Sequence, residues 1–408
     1  MRTQLEQANL GRLTPAVRSV ARAEGMDSTA LLQSVARGEV VIMRRGKRSV
    51  GIGRGLSTKV NVNIGTSPLR VDPDEEVEKA ILAERYGADT LTDLSMGGDI
   101  GAIRARIFEN TTIPITTVPI YQAAAETGLE NLDEERIIRM MKQQAGEGIS
   151  SFVIHFTNES ILAKYRNRER IMGVVSKGGS MTIAWMKLKG RENPFITCLD
   201  EILTIARRHD IVLSLGNTMR SGCIHDAMDK AQSGEMKLNA TLAKRAYEED
   251  VQAIIEGMGG HVRADRIARY VKRYRKASSA PLFVAGPLPT DIAVGHDHIA
   301  GCVGASIAAG AGADYLCYIT PAEHLGLPSP EQVKEGLMAF RIAAHIGDSI
   351  KYGPDIRDRE LSKRRADLDW EGQFSYALDG ETARGMAPKD GACTMCGEFC
   401  AIKMMKGL

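Results

Sequence analysis

The stretch that decides the fold consists of two short apolar runs, Val60-Asn-Val-Asn-Ile64 and Thr90-Leu-Thr-Asp-Leu94, with a helical segment from Pro73 to Tyr86 between them. Short apolar runs predict strands, and an apolar stripe at helical spacing predicts a helix that packs over them. The order strand, helix, strand is typical of βα repeats with a parallel sheet. The stripe of the helix consists of Val77, Ala80, Ile81 and Ala83.

The same rhythm continues to about residue 320 and yields nine candidate strands. Polar residues that can do chemistry follow nearly every run, as they do at the C-terminal ends of the strands of a (β/α)8 barrel. The sequence therefore predicts an α/β fold with a (β/α)8 barrel, and one run must lie outside its eight strands. A doubly wound open sheet is the alternative, but no dinucleotide-type glycine fingerprint follows the first strand. The other seven runs are Ile115–Ile120, Phe152–Phe156, Gly173–Ser176, Ile211–Leu215, Val251–Ile255, Pro281–Ala285 and Tyr315–Ile319.

Composition along the chain predicts three domains. Residues 1–57 carry short helical patterns at Thr14–Glu24 and Ser28–Arg37, which predict a small N-terminal domain. Residues 58–350 form the predicted catalytic barrel. Residues 351–408 form a predicted helical C-terminal domain, which begins with a charged helical stretch from Asp358 to Leu378 and ends in a cysteine-rich loop. The connection from Asp379 to Gly391 contains three glycines and a proline, and this composition predicts a mobile tether.

The overall composition is that of a globular protein with a small-molecule substrate. The 408 residues carry a formal net charge of +2 and only 5% aromatic residues, which argues against a nucleic-acid or membrane surface as the main partner. The first residues lack an apolar signal region, and no stretch approaches the roughly 18 apolar residues that span a bilayer. We expect a cytoplasmic protein.

Three cysteines crowd the C-terminal segment Cys393-Thr-Met-Cys396-Gly-Glu-Phe-Cys400. Three thiolates on one short loop suit a four-iron cluster whose last iron is open to a non-protein ligand. A structural zinc is the alternative, but it usually takes a fourth Cys or His at regular spacing. A disulfide is disfavoured because there is no secretory signal and the other cysteines are scattered singly. Those cysteines are Cys198, Cys223, Cys302 and Cys317.

Two segments offer groups that bind anions or polar substrates. The segment Ser176-Lys177-Gly178-Gly179-Ser180 follows a predicted strand and combines backbone N–H groups with an ammonium group, which suits a phosphate. An ordinary βα turn is the alternative. Asn217 and Arg220 supply an amide and a guanidinium to a polar substrate, unless they belong to a surface turn.

Two further segments each place a glutamate near a histidine after a predicted strand. They are Glu256-Gly-Met-Gly-Gly-His261 and Glu323-His324. Two imidazoles and two carboxylates from separate strands can hold a divalent metal or carry out acid and base catalysis. The residues alone leave both possibilities open.

Several of these motifs, taken together, resemble a known family. Segments such as Val175-Ser-Lys-Gly-Gly-Ser, Gly286-Pro-Leu-Pro-Thr-Asp-Ile-Ala and Thr320-Pro-Ala-Glu-His-Leu-Gly-Leu-Pro, together with the cysteine loop, are similar to those of the phosphomethylpyrimidine synthases of thiamin biosynthesis. The resemblance implies a radical S-adenosylmethionine enzyme with a [4Fe-4S] cluster that acts on 5-aminoimidazole ribotide. It also implies a low-potential electron donor and a homodimer in which the cluster loop of one protomer serves the barrel of the other.

The resemblance assigns roles to individual positions of this chain. An accessory divalent metal, with zinc favoured, is expected on His261 and His324. The cluster is expected on Cys393, Cys396 and Cys400, with S-adenosylmethionine on its open iron. Among the ribotide contacts, Glu256, His155 and Asn217 are the candidate catalytic residues. The expected ribotide contacts are Asn63, Thr92, Tyr121, His155, Ser176, Lys177, Gly178, Asn217, Arg220, Glu256 and Phe283.

Several positions depart from the family pattern and lie at strand ends that face the substrate. Thr92 replaces a methionine, Asn217 an aspartate and Phe283 a tyrosine, and the cysteine spacing is one residue shorter than the usual pattern. Such changes indicate a paralogue with altered chemistry. The first interpretation is therefore 5-hydroxybenzimidazole synthase, an enzyme of anaerobic cobalamin biosynthesis that releases formate. Phosphomethylpyrimidine synthase is the alternative, and a zinc-dependent barrel hydrolase is a third hypothesis.

Overall fold

The N-terminal segment contains three short helices and a β-hairpin in a computed structural model that describes residues 2–166, 170–388 and 392–406. The patterns predicted at Thr14–Glu24 and Ser28–Arg37 are confirmed as helices. Sequence analysis missed the hairpin, whose turn lies at Gly46 with a positive φ of 53°. The elements are α1 (Gln4–Asn9), α2 (Pro15–Ala23), α3 (Ser28–Ala36), β1 (Val40–Arg45) and β2 (Arg48–Gly53).

The predicted (β/α)8 barrel is confirmed. Each of its strands pairs in parallel with the next one along the chain, and the last strand closes the sheet by pairing with the first. The barrel strands are β3 (Lys59–Ile64), β4 (Thr90–Asp93), β5 (Ile115–Thr117), β6 (Ser151–His155), β7 (Val212–Gly216), β8 (Ala253–Glu256), β9 (Leu282–Ala285) and β10 (Tyr315–Cys317).

Helices follow the barrel strands and bury their apolar faces against the sheet. The stripe predicted for the first of them is only partly right, because Ile81 lies at the edge of the stripe and is 43% exposed, whereas Val77, Ala80 and Ala83 are buried. The helices are α4 (Pro73–Arg85), α5 (Ile100–Asn110), α6 (Pro119–Thr127), α7 (Glu134–Glu147), α8 (Glu159–Arg166), α9 (Lys177–Lys189), α10 (Pro194–Thr197), α11 (Leu199–His209), α12 (Lys230–Glu248), α13 (Ala264–Ala277), α14 (Asp297–Gly310) and α15 (Pro330–Tyr352).

Of the nine candidate strands, the run Gly173–Ser176 is the one that lies outside the barrel, and it is not a strand. The Ser176 side chain instead caps α9 by accepting a hydrogen bond from the Gly179 N–H at 3.1 Å. A serine that caps a helix has extended backbone but no strand partner. The expectation that Ser176 and Lys177 follow a strand is therefore wrong, and they begin a helix instead.

The hairpin packs against the N-terminal end of the barrel. Gln252, which precedes β8, accepts a hydrogen bond from the Ile42 N–H at 2.7 Å and donates one to the Ile42 carbonyl at 3.2 Å. Apolar side chains of the hairpin and of the first residues of four barrel strands then form one buried cluster. Its members are Val41, Met43, Val50, Ile52, Val212, Ile254, Phe283 and Tyr315.

The chain divides into two compact units, residues 1–347 and 348–408. The first unit contains both the N-terminal segment and the barrel, and the three-domain division at residues 57 and 350 stays a prediction. Within the second unit, helices cover most of the charged stretch Asp358–Leu378. The predicted tether is partly wrong because Gly380–Met386 is helical, and its residues 389–391 lie outside the described residues. The elements are α16 (Ile356–Ala366), α17 (Trp370–Tyr376), α18 (Gly380–Met386), a 3₁₀ turn (Gly397–Phe399) and α19 (Ala401–Lys406).

No helix within residues 2–166, 170–388 and 392–406 has the length and apolar character needed to cross a bilayer.

We expect the packing of the hairpin against the barrel to contribute measurably to the free energy of unfolding. Ile52 is fully buried in the cluster beneath the barrel, so Ile52→Ala should lower the free energy of unfolding by about 2–5 kcal/mol. The matched control Ile81→Ala alters an exposed helical position and should change it by about 0.5 kcal/mol or less. Urea unfolding followed by circular dichroism measures both variants, and equal effects would contradict the packing described.

Candidate active site

A cavity of about 350 Å³ lies at the C-terminal ends of the barrel strands. Two of the predicted ribotide contacts, Ser176 and Gly178, do not line this cavity. They lie at the first turn of α9. One predicted metal ligand, His324, also lines it. The predicted ribotide contacts in its lining are Asn63, Thr92, Tyr121, His155, Lys177, Asn217, Arg220, Glu256 and Phe283.

One end of the cavity is cationic. The Lys177 Nζ lies 4.5 Å from the centroid of the Tyr121 ring, which is a cation–π contact. Burial and the charge of Arg220 lower the pKa of Lys177. Two cations and the positive N-terminus of a helix are the groups that bind phosphate in proteins.

His155 is held as a neutral imidazole. Its ring is packed so closely that a Cβ atom at Gly178 would lie 2.4 Å from its Cε1, and one at Gly216 would lie 2.9 Å from its Cδ2. Burial, together with the charge of Arg220, lowers the pKa of His155 to about 3. Its Nδ1 is buried and has no hydrogen-bond partner. This nitrogen is therefore left to pair with a water or a bound molecule in the cavity.

Glu256 and Asn217 occupy the ends of neighbouring strands. Glu256 accepts hydrogen bonds from the Ser214 hydroxyl at 3.0 Å and from the Asn217 backbone N–H at 3.3 Å. Burial raises the pKa of Glu256. The Asn217 side chain donates to the Gly257 carbonyl, while its Oδ1 is buried without a partner. An ionised aspartate has no proton to donate to that carbonyl, so this contact requires an amide.

Two of the positions that depart from the family pattern pack into the barrel wall. The Thr92 hydroxyl donates to the Asn61 Oδ1 at 2.9 Å, and the Asn61 amide in turn donates to the Asn63 Oδ1 at 2.8 Å. The Phe283 ring stacks on Tyr315, with their centroids 4.1 Å apart. Thr92 thus supports a neighbouring cavity residue, and Phe283 contributes an apolar wall.

Cys317 is a cavity residue that was not predicted from the sequence. Its thiol lines the cavity and accepts a hydrogen bond from the Asn63 amide at 3.1 Å. Burial raises the pKa of Cys317 to about 12, so the thiol stays protonated. The predicted strand Tyr315–Ile319 placed Cys317 at its middle, whereas the observed strand ends at Cys317, and the polar residues farther along drew the assignment to Glu323 and His324.

The two predicted metal ligands lie close together. The ring centroids of His261 and His324 are 5.2 Å apart. The His261 Nδ1 bonds to the Asp291 Oδ1 at 2.6 Å, and its buried Nε2 has no partner. The His324 Nδ1 lies 3.5 Å from the Asp297 Oδ2. Two imidazoles at this distance, one with an unpartnered nitrogen, suit a shared divalent ion.

The cysteine loop belongs to the second unit and is described by itself. The pKa of Cys393 is lowered because the N–H groups of Cys396 and Met395 point at its sulfur. Desolvation and the neighbouring thiols of Cys393 and Cys400 raise the pKa of Cys396. These three adjacent thiols match the donor set of an iron–sulfur cluster. Among the described residues, no three His, Cys, Asp or Glu side chains are already converged on a metal position.

The sequence matches the radical SAM ThiC family over residues 3–407. It is 44% identical to phosphomethylpyrimidine synthase 1 of Methanosarcina mazei, over 99% of this chain and 97% of that protein. It is 43% identical to the phosphomethylpyrimidine synthase of Archaeoglobus fulgidus, over 99% of this chain and 98% of that protein. The enzyme of the same name from Thermus thermophilus is 43% identical over 100% of this chain and 97% of its own length. The similarity therefore includes both the barrel and the cysteine loop.

The low pKa of His155 predicts a specific pH dependence of stability. Its folded-state pKa of about 3 lies below the value of about 6.5 for an unfolded chain. The unfolded state therefore binds the proton first, and stability that is fully present above about pH 6.5 is lost as the pH falls toward 3. His155→Gln should reduce the loss between pH 7 and pH 5 by about 2 kcal/mol.

Urea unfolding at the two pH values measures this change. The control is His225→Gln, since His225 is exposed and lies outside the cavity lining. We expect the control to keep the wild-type pH dependence. Equal pH dependence in all three proteins would show that the buried imidazole is not neutral.

Proposed function

We propose that this chain, which belongs to the radical SAM ThiC family, rearranges 5-aminoimidazole ribotide in the cavity at the mouth of its barrel. As a member of this family it is a radical S-adenosylmethionine enzyme, and such enzymes use an iron–sulfur cluster. One observation carries the choice of substrate: the cavity combines the cations Lys177 and Arg220 near the first turn of α9 with a neutral imidazole, amides and buried carboxylates elsewhere. A ribotide has the matching pair of groups, a phosphate and a polar heterocycle.

Each part of the ribotide has a proposed set of partners. Lys177, Arg220 and the N-terminus of α9 bind the phosphate. Neutral His155 offers its unpartnered Nδ1 to the ring or ribose, and Glu256 is the candidate proton acceptor because burial has raised its pKa toward the working range. Asn217 offers its unpartnered Oδ1 to an N–H or O–H of the substrate.

Cys393, Cys396 and Cys400 are proposed to hold the [4Fe-4S] cluster. When bound, the cluster and S-adenosylmethionine supply a 5′-deoxyadenosyl radical, once a low-potential donor has provided an electron. The chain's own residues orient the ribotide and exclude water. The loop also exposes large apolar side chains, with Met395 90% and Phe399 81% exposed. Such a surface suits docking on a second copy, and this supports the proposed homodimer with exchanged cluster loops.

The proposed accessory metal sits between His261 and His324. Zinc is favoured because neutral imidazole is one of its preferred ligands, and water or substrate would complete the coordination. Asp291 holds the His261 Nδ1, so the Nε2 is the nitrogen that would bind the metal.

The names of the relatives favour one product. Proteins 43–44% identical over nearly the whole chain are phosphomethylpyrimidine synthases. The first candidate product is therefore hydroxymethylpyrimidine phosphate, which reverses the order of preference drawn from the sequence. Family membership also replaces the hypothesis of a zinc-dependent hydrolase.

A second candidate product, 5-hydroxybenzimidazole with formate, is favoured by the cavity itself. Asn217 cannot act as a base, because its amide donates to the Gly257 carbonyl and does not ionise. Phe283 brings an apolar ring where the family pattern has a hydroxyl. Thr92 directs its hydroxyl to Asn61 and leaves more room than the methionine of the pattern. These three differences concern residues at the cavity, where the fate of the radical is decided.

An anaerobic product assay tests the proposed function. The enzyme is incubated with 5-aminoimidazole ribotide, S-adenosylmethionine and a low-potential reductant, and the organic product is identified by mass spectrometry. Hydroxymethylpyrimidine phosphate with carbon monoxide would establish the first candidate. A fluorescent benzimidazole with formate would establish the second. Formation of 5′-deoxyadenosine without either product would contradict the proposed substrate.

Removal of one cluster ligand should abolish radical formation. We expect Cys396→Ala to retain little iron after reconstitution and to form no 5′-deoxyadenosine, because two thiolates do not hold a four-iron cluster. Cys198→Ala is the matched control, since Cys198 is another free cysteine and lies outside the loop. Iron analysis and chromatography of the nucleoside give the result. Wild-type nucleoside formation by Cys396→Ala would refute the assignment.

Metal analysis tests the histidine pair. The purified protein should contain about one zinc per chain outside the cluster, and His261→Ala or His324→Ala should each remove it, because two ligands must act together. His225→Ala, which changes an exposed histidine, should keep the metal. Elemental analysis after dialysis decides between these outcomes, and retention of zinc by both pair variants would exclude the site.

A further inference from the structure

Arg170 has a buried side chain outside the cavity, and this side chain connects two of the segments around it. Its guanidinium forms a bidentate ion pair with Asp229, with N–O distances of 2.8 and 2.9 Å. The side chains of Arg170 and Asp229 are 2% and 3% exposed. The same guanidinium donates to the Gly173 carbonyl at 3.1 Å and to the Met219 carbonyl at 2.9 Å. One side chain thus bonds to backbone groups of two loops and to Asp229, the residue that caps α12.

Each of these loops leads directly to a cation of the cavity. Gly173 lies four residues before Lys177, and Met219 is the residue before Arg220. On its other side, the Met219 N–H donates to the carboxylate of buried Glu235 at 3.1 Å. The backbone of Met219 is therefore held on both sides by side chains that do not line the cavity.

The two cations repel one another, although the carboxylates of Glu256 and Glu323 also act on Arg220. Burial and, to a smaller extent, the charge of Arg220 lower the pKa of Lys177, and the second of these causes is the electrostatic sign of that repulsion. Like charges in a partly buried site would separate if their loops were free to move. The segments therefore need a restraint that does not depend on the ligand.

The two segments also pack directly against each other, with side chains of one against the backbone of Gly222 in the other. A Cβ atom at Gly222 would lie 2.4 Å from the Val175 Cγ1 and 2.8 Å from the Met172 Cβ. The Asp226 carboxylate also accepts from the Met172 N–H at 2.9 Å. The loop before α9 and the loop after β7, which lead to the two cations, are thus in direct contact.

We propose that Arg170 is a positioning residue that holds Lys177 and Arg220 at the spacing required by a sugar phosphate. This inference deepens the proposed function and rests on it for the identity of the full substrate. The ion pair with Asp229 fixes the guanidinium, and the guanidinium fixes the two carbonyls. Because the two like charges are already held at this spacing, a phosphate can bind without first drawing together the loop before α9 and the loop after β7.

The test compares sugar-phosphate binding with turnover. Without the Arg170 bonds, the aligned arrangement would be populated in only a fraction of molecules, and the apparent affinity falls by that fraction. If roughly one molecule in ten stays aligned, Arg170→Gln should raise the Kd for ribose 5-phosphate about tenfold. The KM for the ribotide should rise by a similar factor, while kcat at saturation stays within about threefold.

Arg275→Gln is the matched control. Arg275 forms a buried ion pair with Asp314 at 2.8 Å and also donates to the Ala280 carbonyl at 3.1 Å, but it lies before β9, at the other end of the barrel. We expect it to lose comparable stability and keep the wild-type Kd. Hydrogen exchange should rise in residues 171–176 and 217–224 of Arg170→Gln only. Equal Kd values for Arg170→Gln and wild type, or equal loosening by the control, would overturn the proposal.

A second variant covers the case in which Arg170→Gln does not fold. Asp229→Asn keeps the guanidinium but weakens its ion pair, so it should raise the Kd for ribose 5-phosphate in the same direction by a smaller factor. An unchanged Kd in folded Asp229→Asn would count against the proposal. If the wild type binds ribose 5-phosphate but does not convert the ribotide, the proposed function fails while the role of Arg170 stands.

Discussion

The parallel pairing of β10 with β3 closes the sheet, and the functional site depends on that closure. Tyr315 pairs with Lys59 and Cys317 with Asn61, so the last strand ends beside the first. As a result the Asn63 amide reaches the Cys317 thiol across 254 positions of sequence. Once the sheet is closed, the residues that follow all eight strands face one cavity, as in other barrels of this kind.

Burial then determines the protonation states in the cavity. His155 is neutral, Cys317 keeps its proton, and the pKa of Glu256 is raised, all chiefly because water is excluded from the strand ends. The cations Lys177 and Arg220 sit on the segments that follow β6 and β7, where Arg170 holds the backbone in place. The barrel mouth therefore places two cations beside a neutral imidazole, a protonated thiol and a carboxylate whose pKa is raised.

Sequence alone predicted the barrel and most of its cavity residues, because βα periodicity is local and strand ends must meet. It could not identify Gly173–Ser176 as the run outside the barrel, since a capped helix start and a short strand have similar composition. Arg170, Asp229 and Asp291 were missed because their roles depend on contacts between segments that are far apart in the chain. The hairpin beneath the barrel was missed for the same reason, since its apolar residues become core only after the strands assemble.

The most direct test of this account compares the affinity of the wild-type chain for 5-aminoimidazole ribotide with that for the corresponding ribonucleoside, measured by anaerobic calorimetry. A phosphate held by charge-assisted hydrogen bonds from two cations should make the ribotide bind on the order of a hundredfold more tightly. Lys177→Met should remove much of this preference, whereas Lys187→Met, on the exposed face of the same helix, should leave it intact. Equal binding of ribotide and nucleoside by the wild type would contradict the account.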